Sequence, residues 1–224
     1  MTWAKPFFDV GLFTNKRDAQ HGFLTERGLA VDHTLKLGGG VLQHRYPVMG
    51  AVLKLNDSRG QLPQAQGPIA KLFLALPGCA SAESFVDPDG NRIVTVPPGF
   101  RDIQGLAVEL QVASLAASEN FYVQALGLEL VAPAVLRCGQ GLLFLSESCE
   151  PRNDVDELAA SGARYLTLQV QGCDSAYAAA LATGATSGRA PVTMGTTARV
   201  AFVKDPDGVW IELSERASLT GKAV

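Results

Sequence analysis

The segment Ser84-Phe-Val-Asp-Pro-Asp-Gly-Asn-Arg-Ile-Val-Thr-Val96 returns near the end of the chain as Ala201-Phe-Val-Lys-Asp-Pro-Asp-Gly-Val-Trp-Ile-Glu-Leu213. Each copy is an apolar run, then Asp-Pro-Asp-Gly, then a second apolar run. This is the pattern of two antiparallel strands joined by a tight turn. Proline presets φ, glycine supplies φ > 0, and aspartate can bond the turn backbone. One such hairpin constrains little. Two copies of the longer string, about half a chain apart, point to duplication.

A chain of 224 residues that is 47% hydrophobic can bury one or two ordinary cores. A net charge of -3 without a lysine or arginine run provides no electrostatic footprint for nucleic acid or an anionic membrane. The apolar runs are too short to span a bilayer, and Met1-Thr-Trp-Ala-Lys-Pro6 lacks the layout of a signal peptide, so the expected location is the cytoplasm. Cys79, Cys138, Cys149 and Cys173 are scattered without a Cys-x-x-Cys spacing, which favours reduced, packed thiols over disulfides or a zinc cage.

Taken in order, Phe7 to Thr14 reads as a strand and Lys16 to Arg27 as a helix closed by Gly28. Strands follow at 29–37, 41–46 and 51–56, the last two flanking a Pro47/Gly50 turn. After a Gln/Gly/Pro-rich loop, Ile69 to Leu76 is a strand, but Pro77 to Ser81 leaves no room for a helix before the first hairpin, so the second unit is truncated. Pro97-Pro-Gly-Phe100 separates the halves. Beyond it come a strand at 106–112, a helix capped by Ser114 and closed by Gly127, and strands at 128–131, 135–138 and 142–146. Glu147 to Ser161 is an acidic excursion with room for one short helix, placed to lie over a cavity mouth. A strand at 165–170, a helix capped by Asp174 and the second hairpin complete the fourth unit. The expected fold is α+β: tandem βαβββ modules with mixed sheets curled into cup-shaped half barrels. The expected domains are 1–97 and 101–216.

Ser114-Leu-Ala-Ala-Ser-Glu-Asn-Phe-Tyr-Val-Gln-Ala-Leu-Gly-Leu128, followed by Val203 to Leu213, resembles the vicinal oxygen chelate superfamily, which includes glyoxalase I, bleomycin-resistance proteins and extradiol dioxygenases. The N-terminal half resembles it through Asp9 to Gly28 and Phe85 to Val96. The resemblance implies a cup holding a divalent metal that chelates two neighbouring substrate oxygens and acts as a Lewis acid. Its ligands are implied on the first strand of a unit and on the last strand after Asp-Pro-Asp-Gly.

Residue by residue, this sequence carries that pattern only in part. Glu212 falls at the last-strand ligand position, with Ile211 and Leu213 expected on the other face. Its counterpart in the first hairpin is Val94. Ala107 and Tyr165 stand where first-strand histidines are implied, with Glu109 on the same strand parity as Ala107, and Asp9 stands at that position in the first unit. Buried, Asp9 needs a metal, a base or backbone donors. The implied metal set is therefore Glu212, Asp9 and Glu109, and Glu212→Gln is expected to abolish metal binding with the fold intact.

The hairpin 41–56 carries His44, Arg45, Lys54 and Asn56 among apolar residues, reading either as a solvated face or as a polar pocket. In the pocket reading His44 is a ligand or general base and Arg45 or Lys54 holds an anionic oxygen. His44 and Arg45 point to opposite faces, and His44 is taken with Lys54. The expected catalytic residues are Asp9, His44 and Glu109, and the expected substrate contacts are Arg45, Lys54, Asn56 and Tyr165.

Two function classes stay open. One is a metal-dependent lyase, isomerase or dioxygenase acting on a small oxygenated metabolite, with Mn, Fe, Ni or Zn. The other is a metal-free protein that binds a small molecule or sequesters a drug. Either takes a small-molecule partner, with no nucleic acid and no membrane, as a monomer or a homodimer.

Overall fold

The computed structural model describes residues 1–150 and 153–224. Pro151 and Arg152, inside the 147–161 excursion, lie outside the described residues. The first unit is β1 (Trp3–Thr14), α1 (Arg17–Thr25), β2 (His33–Gly38), β3 (Val41–Val48) and β4 (Ala51–Ser58). The second is β5 (Ile69–Ala75), β6 (Glu83–Val86) and β7 (Arg92–Val96), with no helix and one strand fewer. The third is β8 (Leu106–Val112), α2 (Leu115–Gln124), β9 (Glu129–Ala132), β10 (Val135–Cys138) and β11 (Gly141–Glu147). The fourth is β12 (Gly162–Val170), α3 (Cys173–Ala182), β13 (Thr186–Met194), β14 (Ala198–Lys204) and β15 (Trp210–Arg216), followed by a short α4 (Ala217–Thr220).

Ser114 caps α2, its hydroxyl accepting from Ala117 N. Asp174 does not cap α3. Gly172 holds that position, and Asp174 lies in the first turn, where it accepts two bonds from Arg199. The acidic excursion forms no helix among its described residues. No helix among the described residues is long and apolar enough to cross a membrane. Cys138 and Cys173 are buried free thiols, Cys79 is half-buried and Cys149 is exposed.

The two halves of the sequence do not make one sheet each. The eight-stranded sheet runs β13-β14-β15-β12-β1-β4-β3-β2, and so joins the fourth unit to the first. The seven-stranded sheet runs β6-β7-β5-β8-β11-β10-β9 and joins the second to the third. The seams are antiparallel pairs, β1 with β12 and β5 with β8. Residues 1–97 and 101–216 are therefore interleaved, and both cups close within one chain. The sheets pack back to back. One buried cluster takes Val10, Leu53, Leu166 and Ile211 from the eight-stranded sheet and Leu72, Val108, Leu110 and Leu143 from the other. Strand alternation then turns Asp9, Lys54, Thr167 and Glu212 to the opposite, concave face.

The duplicated turns are built alike. Asp87 N bonds Asn91 O and Gly90 N bonds Asp87 O; Asp205 N bonds Val209 O and Gly208 N bonds Asp205 O. Gly90 and Gly208 have φ of 89° and 87°, a region that disfavours any residue with a Cβ. In both copies the first aspartate accepts from the backbone two and four residues on. Each turn also ties one sheet to the other. Gln20 of α1 donates to Asp87 at 3.0 Å and to Asp89 at 2.8 Å, and Tyr122 of α2 donates to Asp205 at 2.8 Å.

Asp205 is the costlier clasp. Burial pushes its carboxyl up from 3.8 to about 6, against bonds from Tyr122 and the turn amides that favour the charged form. Because the folded value exceeds the unfolded one, the stabilisation from its proton is complete below pH 3.8 and is lost as pH rises through 6. Asp205→Asn keeps an acceptor for the turn and removes the titration. Urea unfolding should show the variant gaining on the parent by on the order of 3 kcal/mol between pH 3.5 and pH 7. A constant difference across that range would assign the parent's pH dependence to other groups.

Candidate functional site

The concave face of the eight-stranded sheet carries its polar groups in cross-strand register. Asp9 on β1 pairs with Thr167 on β12, and Thr167 with Glu212 on β15. Gly11 pairs with Tyr165 and with Lys54 on β4, and Lys54 with Arg45 on β3. Gln43 and Asn56 form the next pair along the hairpin. Gly11 leaves the space over β1 open. A Cβ there would lie 1.9 Å from Tyr165 Cε1, so the tyrosine ring fills the place a side chain would take.

At the centre is an ion pair. Lys54 Nζ donates to Glu212 Oε2 at 2.7 Å and to Thr167 Oγ1 at 2.6 Å, and Thr167 donates to Glu212 at 2.5 Å. Lys54 is 1% exposed and Glu212 8%. Burial depresses the Lys54 ammonium, against the charges of Glu212 and Asp9. Burial also opposes ionisation of Glu212, but Lys54, Thr167 and Arg216 outweigh it and hold the carboxyl below the usual range. A second layer rests on this pair. Tyr165 O accepts from Gln43 at 3.3 Å and from Asn56 at 3.2 Å, and Arg45 donates to Gln43 Oε1 at 2.9 Å. One end of the cup is apolar: Phe13, Tyr165, Phe202 and Trp210 pack with Leu62 and with Leu158 of the acidic excursion.

The residues singled out from the sequence separate into groups. Glu212, Asp9, Arg45, Lys54, Asn56 and Tyr165 share this face. His44 does not. It pairs with Leu55 rather than Lys54, so Arg45 is the residue that faces Lys54, contrary to the expected choice. His44 lies on the other side of β3, edge-on to His21 of α1 at 4.7 Å, with Nδ1 bonded to Thr34 and Nε2 buried without a partner. Glu109 belongs to the seven-stranded sheet, where Lys71 binds both its oxygens at 2.8 and 2.9 Å. Thr167, Gln43, Gln169, Ser214 and Arg216 were missed. For all but Gln43 the signal is the period-two polarity of Tyr165-Leu-Thr-Leu-Gln169 and Glu212-Leu-Ser-Glu-Arg216.

A divalent ion does not fit this donor set. Asp9 already accepts from Lys5 Nζ at 2.7 Å and from Val52 N at 2.9 Å, so a base and a backbone donor meet its need. Glu212 spends its charge on Lys54, whose ammonium lies where a cation would be held. Among the described residues no three His, Cys, Asp or Glu side chains converge to hold an ion. Glu212, Asp9 and Glu109 are thus not one ligand set.

Residues 106–213 match the family model of the Glyoxalase/Bleomycin resistance protein/Dioxygenase superfamily. Among solved structures, the chain is similar to glyoxalase I from Zea mays, with a TM-score of 0.75, 15% identity, and coverage of 94% of this chain and 92% of that one. It is also similar to the cppA protein from Streptococcus pneumoniae TIGR4, with a TM-score of 0.59, 12% identity, and coverage of 93% and 97%. At these identities the likeness shows the fold. No curated protein matches the chain.

Proposed function

We propose, from a chain whose residues 106–213 belong to the glyoxalase/bleomycin resistance protein/dioxygenase superfamily and whose whole length has the vicinal oxygen chelate fold, that the cup of the eight-stranded sheet binds a small polar organic molecule without a divalent ion. The observation that carries this reading is the Lys54 ammonium, held 2.7 Å from Glu212 and 2.6 Å from Thr167 at the centre of the cup. A fixed cation there supplies the positive charge that would otherwise have to come from a metal. It can hold an oxyanion by hydrogen bonding, and its depressed proton affinity suits it to proton donation. Glu212 is its counter-charge and the acceptor for a returning proton. Tyr165, set by Gly11 and bonded by Asn56 and Gln43, forms the boundary between the polar centre and the apolar end, which receives the hydrophobic part of the molecule. Binding alone would make the protein a sequestering one. Proton transfer by Lys54 and Glu212 would make it a metal-independent lyase or isomerase.

The test is metal content and metal response. An ion at 100 times its Kd stabilises a protein by about 2.7 kcal/mol, worth roughly 5 to 10 °C in Tm for a chain of this size. After EDTA dialysis, addition of Mn, Fe, Ni or Zn is expected to leave Tm within about 1 °C, and elemental analysis of the untreated protein to find well under one ion per chain. A stoichiometric ion, or a shift of several degrees that Glu212→Gln removes, would restore the metal-dependent lyase, isomerase or dioxygenase.

A further inference from the structure

Among the described residues, eight buried side-chain nitrogen or oxygen atoms have no hydrogen-bond partner, and four of them line this one cup: Gln169 Oε1, Ser214 Oγ, Arg216 Nε and Trp210 Nε1. Such atoms are expensive when isolated, so a cluster of them needs a reason. Three form a corner. Gln169 and Ser214 are cross-strand partners on β12 and β15, and Arg216 follows Ser214 on the same strand face. Gln169 is 2% exposed and Ser214 fully buried. The Gln169 amide nitrogen reaches Asp9 Oδ2 at 3.5 Å, which orients the amide and leaves the carbonyl oxygen as the free acceptor.

The charge at this corner is unbalanced. Lys5, Arg45, Lys54 and Arg216 gather around two carboxylates, Asp9 and Glu212. Lys5 and Lys54 each have a close carboxylate, whereas Arg45 lies only within 4.0 Å of Asp9 and Arg216 Nε bonds nothing. The corner therefore lacks an anion, and beside it the Gln169 carbonyl lacks a donor. Ser214 O–H and Arg216 Nε–H suit carboxylate oxygens.

We propose that Gln169, Ser214 and Arg216, backed by Arg45, hold the polar end of the ligand, and that this ligand is a small carboxylate bearing a hydroxyl on the adjacent carbon. The carboxylate accepts from Ser214 and Arg216, and the hydroxyl donates to Gln169 Oε1. The inference rests on the metal-free reading of the cup and deepens it. α4, which follows Arg216 directly, packs against β15 and β1.

The test is calorimetric titration of the EDTA-dialysed, full-length protein with glycolate, acetate and ethylene glycol at pH 7. Glycolate is expected to bind at least tenfold more tightly than acetate, and ethylene glycol not at all. Arg216→Met should weaken both acids by tenfold or more. Gln169→Leu should bring glycolate down to the level of acetate while acetate keeps its parental affinity, a selective loss that misfolding would not produce. Equal or absent binding of the two acids, or an Arg216→Met protein that binds like the parent, overturns the assignment. In either case a blank response to manganese leaves the metal-free reading standing. Glycolate binding that appears only with manganese present would defeat that reading instead.

Discussion

Lys54→Met should destabilise the protein by about 3–5 kcal/mol, because it removes the only cation among the described residues within bonding distance of a buried Glu212. Methionine keeps the unbranched stem, so little of the loss comes from packing. The double variant Lys54→Met/Glu212→Met should recover most of it, since a buried ion pair replaced by apolar groups of similar volume is often neutral. The sign with pH is fixed by Glu212. Its folded-state carboxyl lies below the usual range, so the stability it contributes is present above the ordinary carboxylate pKa and is lost as pH falls through the lowered value. Without Lys54 the buried acid protonates more readily, and the gap between variant and parent should narrow from pH 7 to pH 4. Urea denaturation at both values checks this. A single-variant loss below 1 kcal/mol would mean the pair is solvated. Glu212→Gln, which reads from the sequence as neutral for the fold, leaves an ammonium facing an amide and is expected to cost stability as well.

Gly11→Ala is the second large effect. Alanine usually strengthens a strand relative to glycine, by about 0.5–1 kcal/mol. Here the new methyl would lie 1.9 Å from Cε1 and 2.0 Å from Cζ of Tyr165. The ring must leave, giving up its contacts with Phe13 and Phe202 and the bonds from Gln43 and Asn56. A loss of about 3 kcal/mol is expected, at the upper end for overpacking. In a Tyr165→Leu background the same substitution should cost nothing or stabilise, and that reversal is the measurement to make. If Gly11→Ala costs the same in both backgrounds, the ring does not lie over β1.

Much of the fold was legible because it is written in local chemistry. The paired Asp-Pro-Asp-Gly turns, Ser114 before α2, Gly28 and Gly127 after helices, and Pro97-Pro98 between units each act over a few residues. The sequence did not reveal which unit pairs with which. That choice depends on contacts such as Gly11 with Tyr165, made across most of the chain. The site was half legible for the same reason. Alternation placed Ile211 and Leu213 behind Glu212, and grouped Asp9 and Asn56 as polar groups within apolar strands. It did not show that Glu109 would lie in the other sheet, or that Arg45 rather than His44 faces Lys54, because the parity of a hairpin names two faces without saying which is the cup. Thr167, Gln169 and Ser214 carry no charge and so drew no notice, although together they make the polar stripe of two central strands.

The interleaving of the units also sets an order of events during synthesis. The third unit follows the second directly, so the β5–β8 seam can close while the chain is still being made. β1 and β4 can pair early, but their polar face must wait. Lys54 and Glu212 are 158 residues apart. At roughly 5–20 residues per second, that is about 8 to 30 s during which the lysine stays hydrated before its partner exists. The nascent N-terminal sheet therefore emerges from the ribosome with its future binding face in water. The chain from β12 onward then desolvates it, when β12 docks along β1 and β15 along β12.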